Sequence, residues 1–335
     1  MRAVVYTQTG PSNVLSFVER PDPVPGAGEV LVRVVRAGVN PTDWKLRAGM
    51  MTGHDEVAPG QDGAGVVEAV GDGVEHVAIG DRVWLVLAQH GRPYGTAADL
   101  TVQPAERVQP LPDNADFDLG ASLGVPAVTA HRALTSGDAA RRLGPGTLHG
   151  TTVLVAGGAG AVGNAAIQLA CWSGATVVTT VSSPRKAVLA RAAGAHHVVD
   201  YRTEDVVARV RQIAPDGVDL IVEVAPAQNL ALDLEVIAVG GTIAYYANNG
   251  GNEATLPLRP SFTKNVRLQG VLLYALAADQ LAAATLDVTA AVAAGALRVG
   301  ADAGLQLHHF QLADTAAAHD AVEAGIVGKV LIDVG

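Results

Sequence analysis

The most constraining feature of the chain lies near its middle. A buried-strand pattern, TVLVAGG (152–158), runs directly into Gly158-Ala159-Gly160-Ala161-Val162-Gly163 and then into NAAIQLACWSG. A lone G-x-G-x-x-G match is weak, but one that follows a strand and opens a helix is strong. One glycine makes the tight turn, one lets the backbone approach a pyrophosphate, and one lets the helix pack on the strand. The helix N-terminus adds N–H donors and partial positive charge for phosphate oxygens. Apolar Val162, Ala166, Leu169 and Ala170 keep one helical face. A glycine-rich turn with no ligand is the alternative, and the strand–helix context disfavours it.

The segments that follow alternate. ATVVTTV (175–181) is a second buried strand, KAVLARAAGA a helix ending at Gly194, and HHVVDY a third strand. A helix around 203–213, the strand VDLIVEV (218–224), a helix around 227–238 and the strand GTIAYYA (241–247) come next. Such alternation means βαβ units and a doubly wound parallel sheet, so the fold class is α/β. The segment VRLQGVLLYA (266–275) reads as another strand, a long Ala-rich helix covers roughly 277–295, and KVLIDV (329–334) closes the chain. The first third differs. RAVVYTQ, EVLVRVVRAGV, GAGVVEAVG and DRVWLVL are short β-branched runs suited to a small barrel-like domain, and no long helical period occurs before about residue 115. At roughly 150 residues per domain, a 335-residue chain holds two.

The end of the second strand selects the cofactor. An NAD site places an acid there for the ribose, whereas an Arg accommodates a 2′-phosphate. Ala175 to Arg191 contains no carboxylate; Ser182, Ser183, Arg185 and Lys186 stand there instead. Two cations and two hydroxyls suit the extra phosphate of NADP(H). The two cations also read as solvated residues of a helix start, but positive charge there opposes the helix dipole.

Composition excludes other classes. Hydrophobic residues make up 49% and charged residues 17%, too apolar for a disordered chain. The net charge of −10 and the lack of a basic run argue against nucleic acid as partner. Cys171 is the only cysteine, so neither a disulfide framework nor a Cys-rich zinc site can form within the chain. It reads as a buried small apolar side chain. With no signal-peptide pattern and no long apolar run, the expected setting is cytoplasmic, without a membrane partner. The histidines, including the adjacent pairs His196-His197 and His308-His309, give no metal signal, because neighbours on a strand point to opposite faces.

Several further stretches carry a resemblance. They are Gly38-Val39-Asn40-Pro41-Thr42-Asp43-Trp44-Lys45, Pro59-Gly60-Gln61-Asp62-Gly63-Ala64-Gly65, Gly80-Asp81-Arg82-Val83, Pro126-Ala127-Val128-Thr129-Ala130-His131, Ala193-Gly194-Ala195, Val199-Asp200-Tyr201 and Gly328-Lys329-Val330. With the glycine loop, in this order, the chain resembles the quinone oxidoreductase branch of the medium-chain dehydrogenase/reductase superfamily. The resemblance implies a GroES-like β-rich catalytic domain split between 1–124 and 269–335, with a Rossmann NADP-binding domain at 125–268. It implies that Lys186 and Tyr201 approach the 2′-phosphate, that Thr129 lies near the nicotinamide, and that Lys329 reaches the cofactor from the C-terminal return. Asn248, just after GTIAYYA, joins the candidate cofactor contacts. A homodimer is also implied. Zinc-dependent relatives carry Cys where this chain has Asn40 and Gly-His-Glu where it has Gly60-Gln61-Asp62, so no metal is expected. Without a Lewis acid, alcohol oxidation is disfavoured.

On the substrate side, Asn40, Asp43 and Lys45 follow a strand. The Asn40 amide or Lys45 ammonium suits a substrate oxygen that gains negative charge; Lys45 could donate a proton if its pKa were lowered. Related quinone reductases often carry Tyr at Lys45, and Lys there also resembles enoyl reductases of polyketide pathways. Asn40-Pro41 with Asp43 reads equally as a helix cap, an N1 proline and an acidic first turn. Gln61 and Asp62 fit either substrate binding or a hinge anchor, and Tyr94 either a pocket wall or a surface loop. The expected activity is NADPH-dependent, zinc-free reduction of a small molecule, a quinone or the C=C of an α,β-unsaturated carbonyl. The other readings are a biosynthetic enoyl or ketone tailoring reductase and a non-catalytic dinucleotide-binding protein.

Overall fold

The computed structural model describes residues 1–49, 53–137 and 142–335. They form two compact units, Met1–Val125 with Gln306–Gly335, and Pro126–Leu305.

The Pro126–Leu305 unit is built on a six-stranded parallel sheet. Its strands, in chain order, are Thr152–Ala156, Thr176–Val181, His197–Asp200, Val218–Glu223, Ile237–Tyr245 and Arg267–Gly270. Their spatial order is 3-2-1-4-5-6, with every pairing parallel. This is the doubly wound dinucleotide-binding order, whose switch point lies between the first and fourth strands. Central strands covered on both faces must be apolar throughout. Val153, Leu154, Val155, Val177, Val178, Ile221 and Val222 are accordingly all buried.

The Ala-rich helix Ala278–Ala293 belongs to this unit, which corrects the expected domain boundary. The chain leaves the unit after Leu305 and not at 269. Polar anchors hold the intervening segment. Asp287 accepts from His131 Nε2 at 2.8 Å and from Arg142 Nε at 2.8 Å, and the Ala303 carbonyl accepts from Asn164 Nδ2 at 2.7 Å. Gln168 exchanges two 3.0 Å bonds with the Arg298 backbone. The expected strand 266–275 is also shorter, Arg267–Gly270, with a 3-10 turn at Leu273–Ala275.

In the other unit a seven-stranded sheet centres on Glu29–Val39. That strand pairs antiparallel with Asp62–Val70, with Leu100–Pro104 and with the C-terminal strand Lys329–Asp333. Val30, Val32 and Val34 alternate inward, as a strand with one buried face requires. Val30 and Val32 pack with Val67, Val83, Leu85 and Val108. Lys329–Asp333 also pairs in parallel with Leu307–Gln311, a strand absent from the sequence reading.

A helix, Pro41–Gly49, interrupts this β-rich region. Its buried residues are Asp43 and Arg47, one turn apart. A helix that buries a polar face leaves no apolar period in its sequence. Among the described residues no helix is long and apolar enough to cross a membrane.

Candidate cofactor loop and candidate substrate site

The glycine loop sits at the carboxyl end of Thr152–Ala156, at the switch point. The residue that makes its turn is Gly157, with φ +71°, one position before the predicted motif. Gly-Gly after a strand was the available signal. Gly158 and Gly163 serve packing. A Cβ on Gly158 would lie 2.2 Å from Thr179 Oγ1, and one on Gly163 would lie 2.4 Å from the Gly157 carbonyl oxygen. Gly160 differs, since its Cβ would meet only the Gly157 oxygen, at 3.5 Å.

Gly160 is the N-cap of helix Ala161–Trp172 and brings no capping side chain; the first turn contains no acid. Orphan N–H groups of a first turn need an acceptor. The N–H groups of Ala161, Val162 and Gly163 are offered to whatever lies beyond Gly160, with Ala159 buried behind them. This cradle fits a pyrophosphate.

Parallel pairing brings Ser182, Ser183, Arg185, Lys186 and Tyr201 to the same sheet edge. Val181 ends the second strand and Asp200 the third, and the Tyr201 N–H donates to the Val181 carbonyl at 3.0 Å. Tyr201 thus lies beside Ser182, half exposed. Ser183 caps helix Pro184–Ala192, its hydroxyl accepting the Lys186 N–H at 3.3 Å. Lys186 Nζ donates to Ser182 Oγ at 3.0 Å, and Arg185 is exposed on the same first turn. Neither cation has an acid in that turn to offset the helix dipole. Asn248, exposed beyond the fifth strand, donates to Asn252 Oδ1 at 2.5 Å. Thr129 is buried within helix Gly124–Leu134.

The Met1–Val125 and Gln306–Gly335 unit gathers a different set. Asn40 is buried. Its Nδ2 donates to Asp62 Oδ2 at 2.7 Å, and its Oδ1 accepts from Lys329 Nζ at 2.7 Å. Lys329 Nζ also donates to Asp62 Oδ2 at 3.1 Å and to the Val39 carbonyl at 3.4 Å. Three acceptors use the three N–H bonds of an ammonium. Lys329, expected as a cofactor contact, thus lies within this buried network, with its three N–H bonds directed at Asn40, Asp62 and Val39.

Asp62, which the sequence left between two roles, is the hub. Its Oδ1 accepts the Val125 N–H at 2.7 Å. Two glycines make room for the network. A Cβ on Gly124 would fall 2.3 Å from Asp62 Oδ1, and one on Gly38 would fall 2.0 Å from the Ala121 carbonyl oxygen and 2.9 Å from Lys329 Nζ.

Asp43 supplies one half of a capping box, accepting the Asn40 N–H at 2.7 Å and the Gln61 N–H at 3.1 Å. Burial, reinforced by the Asp62 charge, pushes its carboxyl up to about 7, against the pull of those N–H groups and Lys329. Gln61 donates to Gln89 Oε1 at 3.0 Å, and its own Oε1 is buried without a hydrogen-bond partner among the described residues.

Lys45 is not brought into this network. It is exposed, its ammonium 5.8 Å from the Trp44 ring centroid. The Tyr94 hydroxyl is bound to Glu56 Oε1 at 2.8 Å, which favours the surface-loop reading. Cys171 is partly buried, not fully; its thiol donates to the Gly194 carbonyl and is pushed up to about 11 by burial. Among the described residues no group of three His, Cys, Asp or Glu side chains is placed to hold a metal.

Comparison with known proteins gives consistent matches. Residues 26–113 match the family described as alcohol dehydrogenase GroES-like domain, and residues 161–289 match the family described as zinc-binding dehydrogenase. The chain is 33% identical over 280 residues to a quinone oxidoreductase of Rattus norvegicus, covering 82% of this chain and 80% of that one. It is 32% identical over 258 residues to a 2-haloacrylate reductase of Burkholderia sp, covering 75% and 74%. A mycobacterial protein solved in complex with NADPH superposes with a TM-score of 0.82 at 30% identity, covering 100% of both chains.

Proposed function

Because the chain belongs to the quinone oxidoreductase branch of the medium-chain dehydrogenase/reductase superfamily, we propose that it is an NADPH-dependent reductase of conjugated carbonyl compounds. The observation that carries the reading is the open helix N-terminus at Gly160 on the same sheet edge as the acid-free Ser182–Lys186 turn. Gly158 to Gly163 take the pyrophosphate; Ser182, Ser183, Arg185, Lys186 and Tyr201 take the 2′-phosphate end; Asn248 and Thr129 line the rest of the cofactor. NADPH bound there supplies a hydride.

The acceptor class follows from chemistry common to the relatives' names. A quinone and a 2-haloacrylate both present a C=C conjugated to a carbonyl. Addition of hydride at the far carbon gathers negative charge on the carbonyl oxygen. An Asn40 amide N–H is the donor for that oxygen, Asp43 fixes the Asn40 backbone, and the proton comes from solvent or from Lys45, which is exposed on the same helix. The site is read as zinc-free because Asn40, Gln61 and Asp62 occupy the ligand positions of zinc-dependent relatives. Purified protein is given NADPH or NADH with quinones, enones and 2-haloacrylates, and products are identified. NADPH-linked saturation of the conjugated bond or hydroquinone formation is expected. No turnover of any such acceptor, or stoichiometric zinc with alcohol oxidation, overturns the reading.

We also propose a homodimer formed through Arg267–Gly270. This strand is the outermost of its sheet and all four residues are exposed, with Leu268 and Leu272 among the exposed apolar side chains. An uncovered strand edge is a pairing template. Sedimentation is expected to give a dimer for the natural sequence and a monomer for L268K/L272K; a monomeric natural sequence refutes the assignment.

A further inference from the structure

The Asn40, Asp62 and Lys329 side chains close a ring of three contacts. Asn40 Nδ2 donates to Asp62 Oδ2 at 2.7 Å, Asp62 Oδ2 accepts Lys329 Nζ at 3.1 Å, and Lys329 Nζ donates back to Asn40 Oδ1 at 2.7 Å. The ring fixes which way round the amide lies. A flipped amide would set its NH2 against the ammonium and its oxygen against the carboxylate, two repulsive contacts where two attractive ones now stand. The ring also leaves a remainder. A primary amide carries two N–H bonds, and Asp62 takes one of them.

The ammonium pulls on the amide electronically as well. A cation at the amide oxygen draws electron density from the nitrogen and makes both N–H bonds stronger donors, an effect enlarged by low local dielectric. Lys329 is 2% exposed and Asp62 and Asn40 are as deeply placed, so water does little to screen it. The polarised direction suits a substrate oxygen that becomes anionic, because a stronger donor gains most where the acceptor charge is largest.

We infer that Lys329 is a positioning residue for reduction: it orients and polarises the Asn40 amide, whose second N–H receives the developing charge on the substrate oxygen. The inference rests on the reading of Asn40 as that donor. Lys329 itself touches neither substrate nor cofactor, since all three of its N–H bonds are taken within the network.

The test separates positioning from plain stability. K329M alone strands the Asp62 charge and is liable to unfold, so K329M/D62N, which removes both charges together, is the informative variant. With NADPH and a quinone that the natural sequence reduces, kcat is expected to fall about 10–100-fold in K329M/D62N, less than the about 10²–10³-fold that removal of a whole oxyanion donor costs. KM for NADPH should stay near that of the natural sequence, and the variant should be fully folded at the assay temperature by circular dichroism, although the buried bonds lost around Asn40 and Val125 lower its melting temperature. N40A, which removes the donor outright, should fall at least as far, and N40A/K329M/D62N should fall no further than N40A, because the lysine acts only through the amide. A second readout is independent of turnover: the Asn40 side-chain amide protons, in a 1H–15N spectrum of the protein without substrate, should move upfield in K329M/D62N. Unchanged kcat in K329M/D62N with low kcat in N40A, or additive losses in the combined variant, overturns the role of Lys329. Full kcat in N40A instead overturns the reading of Asn40 on which it rests.

Discussion

Asp43→Asn turns the buried carboxylate beside Asn40 into a measurement. Its folded-state pKa is about 7 against an ordinary 3.8, raised first by burial and then by Asp62. A carboxyl that holds its proton more tightly when folded stabilises the fold at low pH, and that contribution is lost as pH rises from the unfolded value through the folded one. Between about pH 5 and pH 8.5 the loss integrates to about 3 kcal/mol for this group alone. Asparagine keeps one acceptor oxygen and does not ionise. The stability of the natural sequence relative to D43N should therefore fall by about that amount across the window, while pH effects of groups that do not interact with Asp43 cancel in the difference. Urea unfolding can be followed by Trp44 and Trp84 in a W172F background, since both tryptophans belong to the same unit as Asp43. At a urea slope of about 3 kcal/mol/M, the midpoint gap between the two proteins should move by about 1 M. A gap that stays constant from pH 5 to 8.5 refutes the argument and means that the N–H bonds from Asn40 and Gln61 outweigh burial.

Other outcomes follow from the same geometry. R185A/K186A should raise the NADPH dissociation constant about 10–100-fold, from loss of charge-assisted contacts to one phosphate, and leave that for NADH nearly unchanged in a fluorescence titration. G160A should keep its melting temperature yet bind NADPH more weakly, whereas G158A should lower the melting temperature, because its Cβ would lie 2.2 Å from Thr179 Oγ1. D287A should cost about 2–3 kcal/mol by leaving the buried His131 ring and the Leu143 N–H without their acceptor, while the half-exposed Arg142 turns to water, read from unfolding followed at Trp172.

The parallel sheet was legible because its information is local. Strands such as Thr152–Ala156 are short, mostly apolar and β-branched runs, and two of the helices between open on capping residues, Ser183 and Asp205. The glycine loop was legible for the same reason, apart from Gly157, whose positive φ lies just outside the motif. The substrate-side network was only half legible. Asn40 and Asp43 could be picked out, but the reach of Lys329 to Asn40 spans 289 residues of sequence, and no local pattern encodes it. Helix Pro41–Gly49 was legible only at its start, where Asn40-Pro41 and Asp43 read as a cap; its body was obscured because it buries Asp43 and Arg47, not an apolar stripe. The domain boundary was misplaced because the contacts that hold 278–305 to its unit, such as Asn164 to Ala303, are single polar bonds between distant segments.

The pairing of Lys329–Asp333 with Glu29–Val39 has a consequence for biosynthesis. The first 125 residues leave the ribosome with the central strand of their sheet still lacking a neighbour that is translated about 290 residues later. The continuous Pro126–Leu305 segment can fold while this amino-terminal part waits. During that interval an unsatisfied strand edge is open to chaperones and to wrong partners, and a nonsense codon anywhere before 329 would leave it so permanently.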